Sequence, residues 1–275
     1  MSNENGIIVD HGILRRCLPQ SRRLVLPHGI TAIGDNAVRW SQTLEEIVIP
    51  EGVTSIGQRA LIYCRNLKSV TLPETLSTIG SCAFEGCEKL TDITIPDSVT
   101  AIGDRAFKWC RSLKEIRLPS SLDAVSDRMF KNCEALEGIV IPDGVISVGT
   151  KAFDGCKALK SVRIPDSVTH IGECAFTGCD SLADENGFII VKDVLFSYTG
   201  SDKKITVPDF ITAIDTEAFF RRTDLTEISI PPSVRTMGKR ALLWCNALEA
   251  VTCPSHLEER IRALVHEEVK IKISD

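Results

Sequence analysis

Thiol groups are the most readily activated nucleophilic side chains of proteins, and this sequence has 11 cysteines among its 275 residues. Suitably spaced thiols form disulfides, ligate zinc or act as redox nucleophiles. Seven of them, however, fall in one column of a 23-residue period: Cys64, Cys87, Cys110, Cys133, Cys156, Cys179 and Cys245. A line of thiols lacks the four converging ligands of a zinc site, whereas free cysteine packs well as a small apolar side chain. We therefore predict a ladder of buried free thiols. Cys82 and Cys174 share another column but lie too many repeats apart to pair.

The ionisable side chains offer two further kinds of chemistry, acid–base catalysis and calcium binding. The 5 histidines stand in no metal-ligand spacing and beside no nucleophile signature. Acidic residues usually follow a recurring proline, at Glu51, Glu74, Asp97, Asp143, Asp166 and Asp209. One carboxylate per repeat is few for calcium, which takes about six to eight oxygen ligands, so we expect these acids to bond within turns. The sequence predicts no catalytic residue, no cofactor, no metal site and no enzymatic activity.

Aromatic side chains form a column directly before the cysteines, at Trp40, Tyr63, Trp109 and Trp244. Other repeats have glycine there, as at Gly86. We expect a column that accepts both glycine and tryptophan to lie at a surface edge. Two interpretations remain open: the rings anchor a partner, since aromatics bury large areas at small entropic cost, or they lie over neighbouring repeats and seal the edge.

An internal repeat positions these columns, and its type unit is TIPDSVTAIGDRAFKWCRSLKEI over residues 94–116. A proline returns every 23 residues from Pro27 to Pro165, and the period resumes at Pro208 after a 20-residue insertion. The alternating apolar pair before each proline predicts a short strand that the proline ends. We expect glycine, as at Gly103, where the backbone needs an angle that a side chain resists. The apolar residues that follow predict one helical or 3₁₀ turn.

Polar residues on the outward face of the strands form the second candidate surface. Strand side chains alternate between faces, so these residues point away from the core. We select as candidate contacts Thr71, Thr94, Glu115, Arg117 and Arg163. Mixed charge of this kind also occurs on any solvated sheet.

Irregular segments divide the chain into parts that we expect to form one solenoid domain over residues 1–275. The parts are a hairpin cap (1–23), seven repeats (24–183), an inserted hairpin (184–204), two repeats (205–251) and a helix–strand cap (252–275). Because about three repeats are needed for independent stability, the last two repeats are expected to stack on the first seven.

The two hairpin segments match at an offset of 181 residues, with Asn3-Glu4-Asn5-Gly6 against Asp184-Glu185-Asn186-Gly187 and Leu14 against Leu195. A repeat array needs such caps because an open end exposes core and strand edges. At the other end, the helix predicted over residues 255–268 has Ser255 as N-cap and Glu258 completing a capping box.

The pattern LxxIxIPxSVxxIGxxAFxxC resembles the BspA-like class of leucine-rich repeats over residues 24–254, apart from the insertion. The resemblance implies a right-handed repeat solenoid, mainly β with some α+β character, with one concave parallel sheet. Each repeat would add a short second strand and a short helical or 3₁₀ turn. It also implies a non-enzymatic protein-binding scaffold, with adhesion the role of many relatives. The alternatives are a glycan-binding module using the aromatic edge and a structural or accessory module of a larger protein.

Composition narrows the partners and the compartment. A net charge of −5 without a basic patch disfavours nucleic-acid binding. No apolar run is long enough to span a membrane. The N-terminal residues lack a secretion signal, which together with free cysteines predicts a cytoplasmic protein, or a surface or secreted one if this chain is a processed fragment. We expect a monomer with a protein partner that the sequence does not identify.

Overall fold

The computed structural model describes residues 6–274, which divide into two compact units within residues 1–175 and 176–275. Each unit is a stack of short parallel strands, and helix is nearly absent from the described residues. The predicted parallel-strand solenoid is thus confirmed.

The first unit opens with β1 (Ile8–Asp10) and β2 (Ile13–Arg16), which pair as an antiparallel hairpin. Every following repeat supplies a three-residue strand before its proline and a two-residue strand after its turn. These strands are β3 (Arg23–Val25), β4 (Ala32–Ile33), β5 (Glu46–Val48), β6 (Ser55–Ile56), β7 (Ser69–Thr71), β8 (Thr78–Ile79), β9 (Asp92–Thr94), β10 (Ala101–Ile102), β11 (Glu115–Arg117), β12 (Ala124–Val125), β13 (Gly138–Val140), β14 (Ser147–Val148), β15 (Ser161–Arg163) and β16 (His170–Ile171).

Strands of the same kind pair in parallel with the residue 23 positions further on, as Ile47 does with Val70 in β5 and β7. The hairpin caps the series of two-residue strands, since β2 pairs with β4. Between β7 and β9, between β10 and β12, and between β11 and β13, this pairing is interrupted within the described part of the chain.

The second unit contains the other hairpin, β17 (Phe188–Val191) and β18 (Val194–Tyr198), and β18 pairs with the repeat strands that follow. Its remaining strands are β19 (Lys204–Thr206), β20 (Ala213–Ile214), β21 (Glu227–Ser229), β22 (Thr236–Met237), β23 (Ala250–Cys253) and β24 (Lys270–Ile273). The register of the first hairpin shifts between Ile8 and Val9, and that of the second shifts between Ile189 and Ile190, at the same 181-residue offset. The matching bulges support a duplicated module. The sequence match at Asn3–Asn5 lies outside the described residues.

The segment before each cysteine is a series of turns and not the expected helical or 3₁₀ turn. Its N–H groups alternate between two acceptors: Cys110 N donates to Phe107 O in its own repeat at 3.1 Å, and Phe107 N donates to Met129 O in the next repeat at 3.0 Å. A helix would need every N–H for its own carbonyls. The backbone here uses half of them to join successive repeats.

Buried phenylalanines run through the first unit as a stack. The rings of Phe84, Phe107, Phe130 and Phe153 follow one another with centroid separations of 5.4, 5.7 and 5.4 Å and interplanar angles of at most 12°. All four are fully buried. The stack supplies the shared core that no repeat can form alone.

The glycine after each second strand is needed for a different reason from the one we expected. Gly80 and Gly103 do not have positive φ. A Cβ on Gly80 would lie 2.7 Å from Gly57 C, and one on Gly103 would lie 2.5 Å from Ser81 N. The column therefore requires close approach of two backbones, and no special angle.

Ser126 replaces this glycine in one repeat and changes the bonding there. Elsewhere the glycine N–H bonds the preceding repeat, as Gly103 N does with Ile79 O at 2.8 Å. At Ser126 the hydroxyl donates to Ile102 O at 2.5 Å. This is the boundary between β10 and β12, at which the series of two-residue strands is interrupted. The side chain keeps a bond across the boundary but the strands on either side no longer pair.

The C-terminal segment is less helical than predicted. A 3₁₀ turn at Ser255–Leu257 leads into α1 (Glu258–Arg262), whose N-cap is Leu257 without a side-chain cap bond. Ser255 is therefore not the N-cap of this five-residue helix, contrary to the prediction. β24 then pairs in parallel with β23. None of the helices among residues 6–274 has the length and apolar character needed to cross a bilayer.

The close contact predicts that Gly80→Ala lowers the free energy of unfolding by about 1–3 kcal/mol, since a methyl group forced against backbone strains the packing. Gly144→Ala is the matched control, because a Cβ there meets nothing nearer than 3.5 Å and φ is not positive; we expect a change within about 0.5 kcal/mol. Equal effects in urea denaturation would contradict the close-approach explanation.

Candidate functional site

The aromatic column has a left-handed backbone. The φ angles are 61° at Trp40, 56° at Tyr63, 63° at Trp109 and 65° at Trp244, and Gly86 shares the conformation at 74°. This conformation turns the N–H toward the next repeat, where Trp109 N donates to Lys131 O at 2.9 Å. Glycine recurs in the column because it adopts positive φ without steric cost. Its presence is therefore no sign of a surface edge, and Gly86 is in fact buried.

Two of the aromatic residues pack together across a glycine. Tyr63 lies over Gly86, where an added Cβ would be only 2.3 Å from Tyr63 Cδ1. The Tyr63 ring reaches Trp109, two repeats away from it in sequence, with a centroid separation of 6.2 Å. Both side chains are half-buried. At these residues the geometry matches the interpretation in which rings lie over neighbouring repeats and seal the edge.

Cations of the chain itself cover one face of each tryptophan. Lys108 Nζ lies 3.8 Å from the ring centroid of Trp109, and the Arg39 and Arg221 guanidinium carbons lie 4.8 and 4.5 Å from those of Trp40 and Trp244. Lys108 is also held by Glu85 at 3.1 Å. Trp40 and Trp244 are nevertheless 57% and 48% exposed. Trp40 lies in the first unit and Trp244 in the second, so the aromatic column is divided between the two units.

The cysteine column is a ladder of buried thiols, and the other cysteines of the chain are buried thiols as well. Each thiol of the column for which a bond is resolved donates to a backbone carbonyl 26 residues earlier. Examples are Cys64 Sγ to Val38 O at 3.1 Å, and Cys110 Sγ to Phe84 O at 3.2 Å. Burial raises the pKa of Cys64 to about 12 and that of Cys110 even further. These thiols are therefore protonated at neutral pH and act as packing and hydrogen-bonding groups.

The geometry supports neither a calcium site at the acids after the prolines nor a site for another metal ion among the described residues. Within residues 6–274, no group of three or more His, Cys, Asp or Glu side chains is placed to hold a metal ion. Two of the acids after the prolines accept a hydrogen bond from the turn of the following repeat instead: Glu51 Oε1 from Glu74 N at 3.2 Å, and Asp97 Oδ1 from Ser120 N at 3.2 Å. The bonds span 23 residues, so the turn chemistry that we expected within one repeat operates between repeats.

The strand face of the first unit is a groove. It has a volume of about 1170 Å³ and extends over β9, β11, β13 and β15. Four of the five strand-face residues chosen from sequence line it: Thr94, Glu115, Arg117 and Arg163. Thr71 is exposed on β7 but does not belong to the lining. Of the two candidate surfaces, this one brings together most of its predicted residues.

Two arginines of the groove pair with acids from the preceding repeat. Arg117 Nη2 lies 2.9 Å from Asp97 Oδ2, and Arg163 Nη2 lies 3.2 Å from Asp143 Oδ1. The bond from Ser120 N, together with that from Arg117, lowers the pKa of Asp97. Exposed pairs of this kind contribute little stability, so their main effect is to direct the guanidinium groups.

The sequence analysis missed several groove residues, among them Gly138, Val140 and Ser120. Val140 is 55% exposed between the two paired arginines. A signal was present in the sequence for Ser120, which replaces the acid after the proline, and for Gly138, which replaces a charged or polar side chain, whereas valine also stands at Val25 and Val48 in the column of Val140. The signal carried no meaning until the structure showed that the columns meet in one groove.

Family membership follows from a comparison with models of known families. The BspA type leucine-rich repeat region matches residues 31–160 and 147–265 in 6 copies. The chain belongs to the BspA-type leucine-rich repeat family. No match was found among curated proteins.

Solved structures of similar proteins include other leucine-rich repeat chains. A leucine-rich repeat protein from Bacteroides ovatus has 25% identity over 96% of this chain and 87% of its own, with a TM-score of 0.44. One from T. pallidum has 24% identity over 94% and 91%, with a TM-score of 0.46. The pneumococcal vaccine antigen PcpA has 19% identity over 92% and 71%, with a TM-score of 0.54. At that identity, the likeness to PcpA concerns the fold alone.

Because Trp109 has positive φ, we predict that the Trp109→Gly variant is more stable than the Trp109→Ala variant, the reverse of the usual order for these two residues. Trp109→Ala and Trp109→Gly lose the same ring, but alanine also has to adopt positive φ, at a cost of about 1–2 kcal/mol. We expect the glycine variant to unfold at higher urea concentration. Lys108, which lacks positive φ, is the adjacent control: Lys108→Ala should be at least as stable as Lys108→Gly. The same order at both positions would show that the backbone angle does not govern the column.

The buried thiols predict a loss of stability in alkali. Thiols of the unfolded chain ionise near pH 8.5, whereas Cys64 in the folded chain stays protonated to a pKa of about 12. The free energy of unfolding therefore does not change with Cys64 ionisation below about pH 8, and falls as the pH rises toward 12. Cys64→Ser should reduce the slope by up to about 1.4 kcal/mol per pH unit. Identical slopes from pH 8.5 to 10 would contradict the assigned burial.

Proposed function

We propose that this chain is a non-enzymatic protein-binding scaffold that holds its partner on the strand face of its first unit. The observation that carries the proposal is the groove over β9–β15, in which four of the sequence-selected residues and the exposed Val140 lie together. A groove with polar walls and an apolar centre suits a protein segment, because apolar contact gives affinity and the polar rim gives orientation. Membership of a leucine-rich repeat family agrees with a scaffold role.

The glycan alternative has weaker support from the geometry. Sugars stack on open aromatic faces, and one face of each tryptophan is already covered by a lysine or an arginine. Tyr63 and Trp109 also pack against each other. Adhesion remains an expectation from the family, and its test begins with the identity of the partner.

A pair of threonines in one repeat tests the proposed face. Thr94 lies in the groove, and Thr100 is exposed elsewhere in the same repeat. A photo-crosslinking amino acid placed at Thr94 should form adducts with one partner protein, identified by mass spectrometry, while the same group at Thr100 should not.

The purified partner then gives a quantitative result. Thr94→Trp should raise its Kd at least tenfold by obstructing the groove, and Thr100→Trp should leave it unchanged. Adducts from Thr100 but not from Thr94 would refute the strand-face assignment, as would equal Kd values for the two tryptophan variants.

A further inference from the structure

The groove is not uniform along its length, because the side chains around β13 differ from those around β11 and β15. On β11 and β15 the last strand position is arginine, and the acid after the preceding proline is aspartate, giving the pairs Arg117–Asp97 and Arg163–Asp143. Between them, β13 has Val140 in the arginine column, and Ser120 stands in the aspartate column. Val140 of β13 and Ser120 of the repeat before it thus replace both members of the ion pair with small uncharged residues.

The first position of strand β13 also lacks a side chain. Gly138 stands where β11 has Glu115 and β15 has Ser161. Its parallel partner is Ser161, and Val140 is in register with Arg163. We call the hollow formed by Ser120, Gly138 and Val140 the notch. It is one repeat wide, and Arg117 and Arg163 lie on the strands on either side of it.

The ion pairs determine which chemical groups a partner would meet at the sides of the notch. Each arginine is already matched by an aspartate, so the guanidinium groups are neutralised and directed toward the preceding turn. Val140, 55% exposed, is left as apolar surface between them. The notch therefore favours an uncharged apolar side chain, which would remove Val140 and the arginine stems from water.

Charge on the neighbouring strands specifies what should flank that apolar side chain. Asp92 and Glu115 occupy the same column on β9 and β11 and are in register with each other. Both are exposed, and neither forms an ion pair with a basic side chain of the described residues. Two adjacent unpaired carboxylates attract a positive charge, and the arginines of the groove do not neutralise them.

We propose that the groove binds a segment of a protein partner in which an apolar side chain fills the notch at Ser120, Gly138 and Val140 and a nearby lysine or arginine faces Asp92 and Glu115. This inference rests on the proposed function and specifies the partner's chemistry. A purely acidic segment would meet the two carboxylates, and a purely polar one would leave Val140 exposed.

A peptide library tests the chemistry directly. Random 12-residue peptides displayed on phage are selected against the full-length chain, and the recovered peptides are synthesised for Kd measurement. We expect enriched peptides to have a large aliphatic or aromatic residue within about three positions of lysine or arginine, and to bind more weakly as salt increases.

Two variants locate the apolar contact. Ser120→Asp/Val140→Arg fills the notch with the pair found in the adjacent repeats, so it preserves the pattern on which the fold is built. It should raise the peptide Kd at least tenfold. Thr71→Arg is the matched control, because it places arginine in the same column with Glu51 in the acid column, outside the groove lining. It should leave the Kd unchanged. Thermal unfolding verifies that both variants are folded.

A third variant tests the charge. Asp92→Asn/Glu115→Gln should weaken peptide binding and remove most of its salt dependence, with the notch intact. If recovered peptides bind the filled-notch variant as tightly as the original chain, or if no peptide is enriched, this inference is refuted. Peptides that bind the filled-notch variant normally but bind Thr94→Trp weakly would contradict this inference and still support binding on the strand face. Peptides that bind the filled-notch variant and Thr94→Trp as tightly as the original chain would contradict both this inference and the proposed function.

Discussion

Backbone hydrogen bonds between residues about 23 positions apart are the constraint on which this structure depends. Every repeat directs N–H groups of its strands and turns toward carbonyls of a neighbour, as Gly103 N does to Ile79 O and Trp109 N to Lys131 O. A buried N–H without an acceptor costs free energy, so the spacing of the repeats must be kept at every layer. The column residues follow from this: glycine where two backbones touch, and residues that tolerate positive φ where the turn directs an N–H forward.

Side chains complete the bonding where the backbone alone does not. The Cys110 thiol donates to Phe84 O in the preceding repeat, and Asp97 accepts from Ser120 N in the following one. Neither residue shows the properties of a reactive centre: the thiol is buried with a raised pKa, and the carboxylate is paired with Arg117. Residue types that suggest redox or metal chemistry here maintain the contact between layers. Their regular spacing is itself the reason, because catalytic groups have to converge and a column keeps them one layer apart.

At a few positions the chain departs from its repeat, and the hydrogen bonding or the surface changes there. Ser126 bonds the preceding repeat through its hydroxyl, and the strands β10 and β12 do not pair at that boundary. On the strand face the next repeat has Gly138 and Val140 on β13 in place of the charged or polar side chains of β11 and β15. A uniform column offers a partner the same contact at every layer and so no unique register. A strand whose side chains differ from those of its neighbours supplies one, which is why the proposed contact is placed there.

The sequence alone determined the repeat, the strand before each proline, the buried Phe and Cys columns and the duplicated hairpin, because each is expressed as a period or an offset that needs no coordinates. It also selected four residues of the groove, since alternation along a strand decides which side chains face outward. The tertiary structure decided why the columns exist. Gly80 proved to need close backbone approach, and Gly86 a positive φ, although the two look equivalent in sequence. It also replaced the expected helical turn by N–H groups shared between layers, and it showed that Ser120, Gly138 and Val140 meet in one hollow. These features depend on distances between layers, and a linear pattern gives the order of residues but not how closely their backbones approach.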